Sequence, residues 1–352
     1  MFRTALVALA LAGVNAAAAP GPSAPVTKPF NFVVIGHIRG DRGHLNPELA
    51  ELLQRVRALK PAFVVVTGDM IWGDADLKGS VPEHILTEWT AVDSALATLK
   101  VPVYRTPGNH DINDIVTRDI YFQRYGKPPS AFSYGGSRFL ILVSTYLPPD
   151  GDTAKMEFIR GHDLDSSQVG FIRAQLADTA SYQHTFAFMH HLLWWEPTNG
   201  AWWRDVHPLL EQHKGAAVFS GDLGPMKFSH LQADGIEYYQ CSLGGNPPMN
   251  MMRNAERNRA LQDQFDCFFN VTVDGPAVDV QVEAVGEVSM EHFTPARWDS
   301  IYGYRAPPPQ SLREKFADLT SSRGRVVMLV GGLLLAFVAG WGIARMTASK
   351  RA

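Results

Sequence analysis

The chain has 352 residues, 46% of them hydrophobic and 19% charged, with no low-complexity run beyond the alanines near its start, a composition of the ordinary globular kind. Its formal net charge of -3 offers no basic excess of the sort that neutralises nucleic-acid phosphates, so no role as a nucleic-acid scaffold is expected. No internal repeat is visible.

The first twenty residues, "MFRTALVALALAGVNAAAAP", carry one cation at Arg3, an apolar run from Ala5 to Val14, and small residues suited to cleavage near Ala18. That is the layout of an export signal over 1–18, with a first core helix as the alternative. Pro20, Pro22 and Pro25 make 19–29 a linker. The strand "FVVIG" opens the body. Next, "NPELAELLQRVRAL" repeats apolar residues at helical spacing, with Asn46 as cap and Pro47 in the first turn. The strand "AFVVVTGD" is apolar on both faces, which predicts cover on each side. The pattern then gives a helix near 83–99, the strand of "VPVYRTPGNHD", a helix near 113–124, and strands "AFSY" and "RFLILVST". A helix near 166–179, the strand "TFAFMHH", a helix near 204–213 and the strand "AAVFSGD" follow. The last third is mostly strand: "FSHLQA", "IEYYQCSL", "CFFNVTV" and "AVDVQVEAV". Alternation first and strands later predicts an α/β domain over 30–285 finished by an added sheet.

After a linker and juxtamembrane segment at 286–325, Val326 to Ala344 runs 19 residues without a charge, enough to span hydrocarbon of about 30 Å. Arg323 and Arg325 precede this transmembrane candidate at 326–344, and Arg345, Lys350 and Arg351 mark 345–352 as a short cytoplasmic tail. A buried C-terminal helix and a processed sorting tail are the alternatives. Leader and anchor together place the body on the extracytoplasmic side of a membrane. There Cys241 and Cys267 either form a disulfide or stay as buried thiols. The sequon at Asn270 falls inside a strand pattern.

Five polar clusters sit just past apolar strands: "GHIRGD", "GDMIWGD", "GNHD", "HHLLWW" and "SGDLG". In open α/β sheets the carboxyl ends of the strands converge on one crevice, so these clusters are expected to meet in space.

At these residues the chain resembles the calcineurin-like metallophosphoesterases, whose motifs run D-x-H, G-D, G-N-H-D/E, a lone His after a strand, and G-H-x-H. Gly68 and Asp69, Gly108 to Asp111, and His190 match in both motif and order, and "GHIR" and "SGDLG" fall where the outer motifs belong. The resemblance implies an α/β fold, a four-layer α-β-β-α sandwich. It also implies hydrolysis of phosphate mono- or diesters with divalent transition metals, manganese, iron or zinc, held by carboxylate, amide oxygen and imidazole. Carried over residue by residue, one metal site is Asp69, Asn109, His190 and Asp222, with Asp222 in place of a histidine. At the other site His37 stands for an aspartate, Arg39 for a histidine and Gly224 for a histidine. His110 is the imidazole that stabilises or protonates the leaving oxygen.

Arg39 keeps its charge and cannot ligate. Its planar fork of donors is suited to a phosphate or to Asp69 and Asp222, so it stands in for a cation with His37 beside it as weak ligand or proton carrier. A decayed site in which Arg39 only pairs with a carboxylate is the bland alternative. One metal per chain is expected, two at most. Asp111 either orients the His110 imidazole or caps a helix. His191 is expected to point away from His190, because successive strand residues face opposite sides, and Asp41 and Asp74 read as loop carboxylates. Trp194, Trp195, Trp202 and Trp203 either face the crevice, to stack on a sugar or hold a lipid, or belong to the core. The sequence thus supports a membrane-tethered phosphoesterase acting on a phosphorylated small molecule, lipid headgroup or glycan. The alternative is a non-catalytic module that binds such a ligand or a partner protein in the same crevice.

Overall fold

A computed structural model of the chain describes residues 28–286 except 42, 146–163, 178–181, 196–199, 214, 223–226, 245–260 and 264. The export signal at 1–18 and the apolar segment 326–344 lie outside these residues, and no described helix is long and apolar enough to cross a membrane.

Twelve described strands form two sheets. β1 (Phe30–Ile35), β2 (Val64–Thr67) and β3 (Val103–Thr106) run parallel, joined through α1 (Leu49–Leu59) and α2 (Pro82–Ala97); α3 (Ile115–Tyr125) follows. Then come β4 (Ser130–Tyr134), β5 (Ser137–Ile141), α4 (Ser166–Gln175) and β6 (His184–Met189). A π-helical turn at Trp202–Val206 leads into α5 (His207–Glu211), followed by β7 (Ala216–Ser220), β8 (Phe228–Ala233), β9 (Ile236–Gln240), β10 (Leu261–Asp263), β11 (Cys267–Asp274) and β12 (Ala277–Ala284). The first sheet has the order β12-β11-β1-β2-β3 and the second β10-β8-β9-β7-β6-β5-β4.

The strand residues sort themselves by alternation. Val33, Ile35, Val64 and Val66 face a cluster made with Leu52, Val56, Trp89 and Leu96 of the first helices. Phe32, Val34 and Val65 face inward, against Phe139, Phe186, Phe188, Ala217 and Phe219 of the second sheet. Ala187, Met189 and Val218 turn outward onto Ile172, Trp202 and Leu210. Three apolar layers between four layers of secondary structure are the α-β-β-α sandwich. Its middle is aromatic: the Phe32 ring lies 5.2 Å from Phe63 and 5.1 Å from Phe186.

One expectation is overturned here. The late strands build no added sheet. β11 and β12 extend the first sheet antiparallel to β1, and β8 to β10 extend the second. Alternation tells how a strand is buried but not which neighbour it pairs with, and β11 pairs with β1 from more than two hundred residues away. Asn46 is not the cap of α1, nor is Pro47 in its first turn: Glu48 holds the cap position without a side-chain cap bond, and Asn46 Oδ1 accepts from Glu48 N at 2.9 Å just ahead of the helix. Cys241 and Cys267 are free buried thiols. Asn270 is buried in β11, its Oδ1 taken by Asn31 Nδ2 at 3.0 Å.

Candidate active site

β1, β2 and β3 of one sheet and β6 and β7 of the other end at the same edge of the sandwich. The polar clusters past those ends meet around the carboxylate of Asp69, itself almost fully buried. Convergence holds as the sequence predicts, except that the crevice is shared by two sheets. Oδ2 of Asp69 faces His37 Nε2 at 3.4 Å, Arg39 Nε at 3.6 Å and His110 Nε2 at 3.9 Å. Oδ1 accepts from the backbone N–H of His110 at 3.1 Å and lies 3.3 Å from His190 Nε2. Asp222 Oδ1 is 3.7 Å from the same His190 nitrogen. Asn109 is half-buried in the turn between Gly108 and His110.

Glycine makes this approach possible at two points. A Cβ on Gly108 would sit 2.2 Å from Asp69 Oδ1, and one on Gly68, at φ +88°, would sit 2.5 Å from His190 Nδ1. Asp69 and His37 hold left-handed backbones themselves, at φ +50° and +47°, the kind of strain that collects at functional loops.

Three imidazoles share one wiring. Nδ1 meets a backbone carbonyl in each: Leu243 O at 2.9 Å for His37, Trp72 O at 2.8 Å for His110 and Thr67 O at 2.9 Å for His190. A carbonyl only accepts, so Nδ1 carries the proton, and in the neutral ring Nε2 presents its lone pair toward Asp69. For His190 that nitrogen is fully buried, 3.3 Å from Asp69 Oδ1.

Charge separates the three. Burial pushes His37 down to about 4, with Arg39 and His190 adding to the fall and Asp69 opposing it. His110 is lowered too, by burial first. Burial also works against a charged His190, but Asp69, helped by Asp222, overcomes it and raises the group to about 9. The Asp69 carboxyl, although desolvated, is held well below the usual carboxylate range by His190, His110 and His37. In the metal-free chain His190 is therefore the charged imidazole, and His37 and His110 are neutral.

The hydrogen bonds of Asp111 go to backbone N–H groups, and the cap of α3 is Asp114. Asp111 Oδ1 accepts from Met70 N at 2.8 Å and Ile71 N at 3.2 Å, and its Oδ2 from Gly108 N at 2.8 Å. It is a strut that ties the loop after β2 to the loop after β3, and burial raises its carboxyl to about 7. Orientation of His110 comes instead from the Trp72 carbonyl. The Trp72 indole also lies under Arg39, 4.9 Å from ring centroid to guanidinium carbon.

Trp72 is fixed in turn by Glu88 of α2, whose Oε2 accepts from Trp72 N at 2.6 Å and Gly73 N at 3.1 Å. Sequence reasoning passed over both residues. Glu88 carried a signal, being a carboxylate on the stripe of Ile85, Trp89 and Val92 that α2 buries; Trp72 carried none.

His191 corrects another expectation. β6 stops at Met189, so strand alternation no longer governs the two histidines. A ring nitrogen of His191 comes within 4.8 Å of ligand atoms of both His190 and Asp222. Trp194 and Trp202 are buried in the second core, and Trp203 packs partly against it, so these three are not an exposed platform for sugar or lipid. The side chain of Trp195, and Gly224, lie outside the described residues. Asp74 is a loop carboxylate, accepting from Val81 N at 2.8 Å, and Asp41 is exposed.

A two-sheet sandwich whose strand ends surround a buried aspartate with imidazoles is the arrangement expected of the resemblance. The family model of calcineurin-like phosphoesterases matches residues 35–226, more than half of the chain, and the chain belongs to that family. No curated protein matches the sequence. Among solved structures, a dimetal phosphatase from Danio rerio is similar at 14% identity and TM-score 0.51, over 74% of this chain and 97% of that one. A purple acid phosphatase from yellow lupin seeds is similar at 13% identity and TM-score 0.50, over 76% of this chain and 54% of that one. At such identities the likeness is one of fold.

Proposed function

We propose that this chain is an exported, membrane-anchored, metal-dependent phosphoesterase that hydrolyses a phosphate mono- or diester with one divalent metal and Arg39 in place of a second. The observation that carries the reading is the asymmetry of Asp69. Its Oδ2 faces a permanent cation, Arg39, with neutral His37 alongside, whereas its Oδ1 accepts from the His110 backbone N–H and faces Nε2 of His190, an imidazole that can give up its proton to an ion. Asp69, Asn109, His190 and Asp222 are the residues that would hold manganese, iron or zinc, and the oxygen and imidazole donors suit those ions. An ion held by these residues would supply charge neutralisation for the phosphate and would make water a better nucleophile near neutral pH.

The protein's own groups supply the rest. Arg39 offers a planar fork to the phosphate oxygens, and the Trp72 indole beneath it keeps the guanidinium in place. His110 presents Nε2 to the leaving oxygen. A bound phosphate, being anionic, raises the pKa that burial has lowered, which readies the ring to carry a proton. The leader over 1–18, the span over 326–344 and the loss of the family's D-x-H pair complete the proposal from the sequence. Protease added to intact spheroplasts is expected to digest the body; protection until lysis sinks the topology.

Arg39→Ala removes a charge-assisted, bidentate contact, a loss of roughly 1.5 to 3 kcal/mol, or about one to two decades in phosphate affinity and in turnover of a generic phosphodiester. Arg39→Lys is expected to restore only part of it, since an ammonium lacks the fork. Metal content by mass spectrometry, together with that hydrolysis, tests the whole reading. About one ion per chain with hydrolysis supports it. Phosphate binding without hydrolysis at any metal loading favours the non-catalytic module, a reading that Arg39 and His37 in the D-x-H positions also suit.

A further inference from the structure

We infer that His191 joins His190, Asp222 and Asp69 Oδ1 around the divalent ion, beside the Asn109 already assigned to it, so that His191 is a ligand the family motifs do not assign. The inference rests on the single-metal reading above and places the ion on the side of Asp69 away from His37 and Arg39.

Three independent observations meet here. One ligand atom from each of His190, His191 and Asp222 lies within 4.8 Å of the others. Atoms bound at about 2.0 to 2.2 Å from one ion sit roughly 3 to 4 Å apart, so the three atoms already stand within about 1 to 2 Å of the spacing a ligand set needs. The Nε2 of His190 is fully buried and faces two carboxylate oxygens, Asp69 Oδ1 at 3.3 Å and Asp222 Oδ1 at 3.7 Å, so an ion at that nitrogen meets both. On the opposite side of Asp69, the Arg39 guanidinium 3.6 Å from Oδ2 is a fixed cation that repels an ion placed beside it.

His191 is prepared for the task. Ser144 Oγ accepts from the His191 backbone N–H at 2.8 Å and lies 3.1 Å from its Nδ1. That serine, just past β5, ties down one edge of the ring and leaves Nε2 to serve as ligand, as outer partners of metal-bound histidines do. The ring also stands 4.8 Å from that of His190, centroid to centroid.

The test is titration of the full chain by calorimetry, with zinc alone and manganese alone as probes. Ser144→Ala is expected to weaken binding by roughly 10- to 100-fold, the usual effect of losing an outer partner, and His191→Gln by more than that. To separate ligand loss from misfolding, nitrogen-15 spectra of the unaltered chain are recorded with and without one equivalent of zinc. A large shift of one His191 ring nitrogen supports the inference with no substitution made. Unmoved His191 resonances, or full affinity in His191→Gln when His190→Gln has lost it, overturn it while leaving the single-metal reading standing. Absence of zinc and manganese binding by the unaltered chain overturns both.

Discussion

Asp69→Asn is expected to abolish metal uptake and to destabilise the metal-free chain by about 3 to 5 kcal/mol, the usual consequence of removing one partner from a buried charged cluster. The substitution keeps shape and volume, so the effect is electrostatic. Arg39 Nε and His190 Nε2 lie 3.6 and 3.3 Å from the carboxylate, and in the variant neither has that counter-charge. Arg39 cannot shed its proton; His190 can, and its pKa falls back below neutrality once Asp69 no longer opposes burial. The amide also brings two hydrogens beside the Arg39 guanidinium and the His110 backbone N–H, which are themselves donors. Urea unfolding in a chelator measures the loss, and calorimetry with manganese measures uptake. A loss under about 1 kcal/mol would mean that the convergence on Asp69 is no tighter than a surface ion pair.

In chelator, the unaltered chain is expected to lose about 3 kcal/mol of stability between pH 6.5 and 9. The source is His190, whose folded pKa of about 9 stands above the ordinary imidazole value of 6.5. A group raised in this way contributes stability that is fully present below pH 6.5 and is lost as pH climbs through the folded value. His37 and His191, both lowered to about 4 chiefly by burial, act in the other direction, costing stability as pH falls below 6.5. Asp111 and Glu48, each raised to about 7, oppose them on that acid side because their contribution fades as pH rises toward neutrality. The acid limb is therefore shallow and the alkaline limb belongs to His190. Urea unfolding across this range reads the slope; His190→Gln should flatten it, and saturating zinc, by taking the place of the proton on Nε2, should do the same. A flat profile in the unaltered, metal-free chain would show that Asp69 does not hold His190 charged.

The sequence by itself determined the elements and the chemistry available at their ends. Continuous apolar runs gave the central strands, helical spacing gave α1, and the order of G-D, G-N-H-D and a strand-terminal His pointed to the family that the comparisons bear out. These are legible because periodicity and short motifs are local, fixed within a few residues by backbone geometry. Only the tertiary structure decided how distant segments meet. It sent β11 and β12 to the first sheet and β8 to β10 to the second, a choice made by surfaces far apart in the chain. It gave Asp111 three backbone N–H groups as partners, because β2 and β3 bring together the two loops that carry those donors. It ended β6 one residue before His190, which freed His191 from strand alternation and swung it toward Asp222. It also laid Arg39 across Trp72 and against Oδ2 of Asp69, giving the two oxygens of one carboxylate different surroundings. A pattern of residue types records which groups can bind a cation or a phosphate; which side of Asp69 each one occupies is set by packing between two sheets.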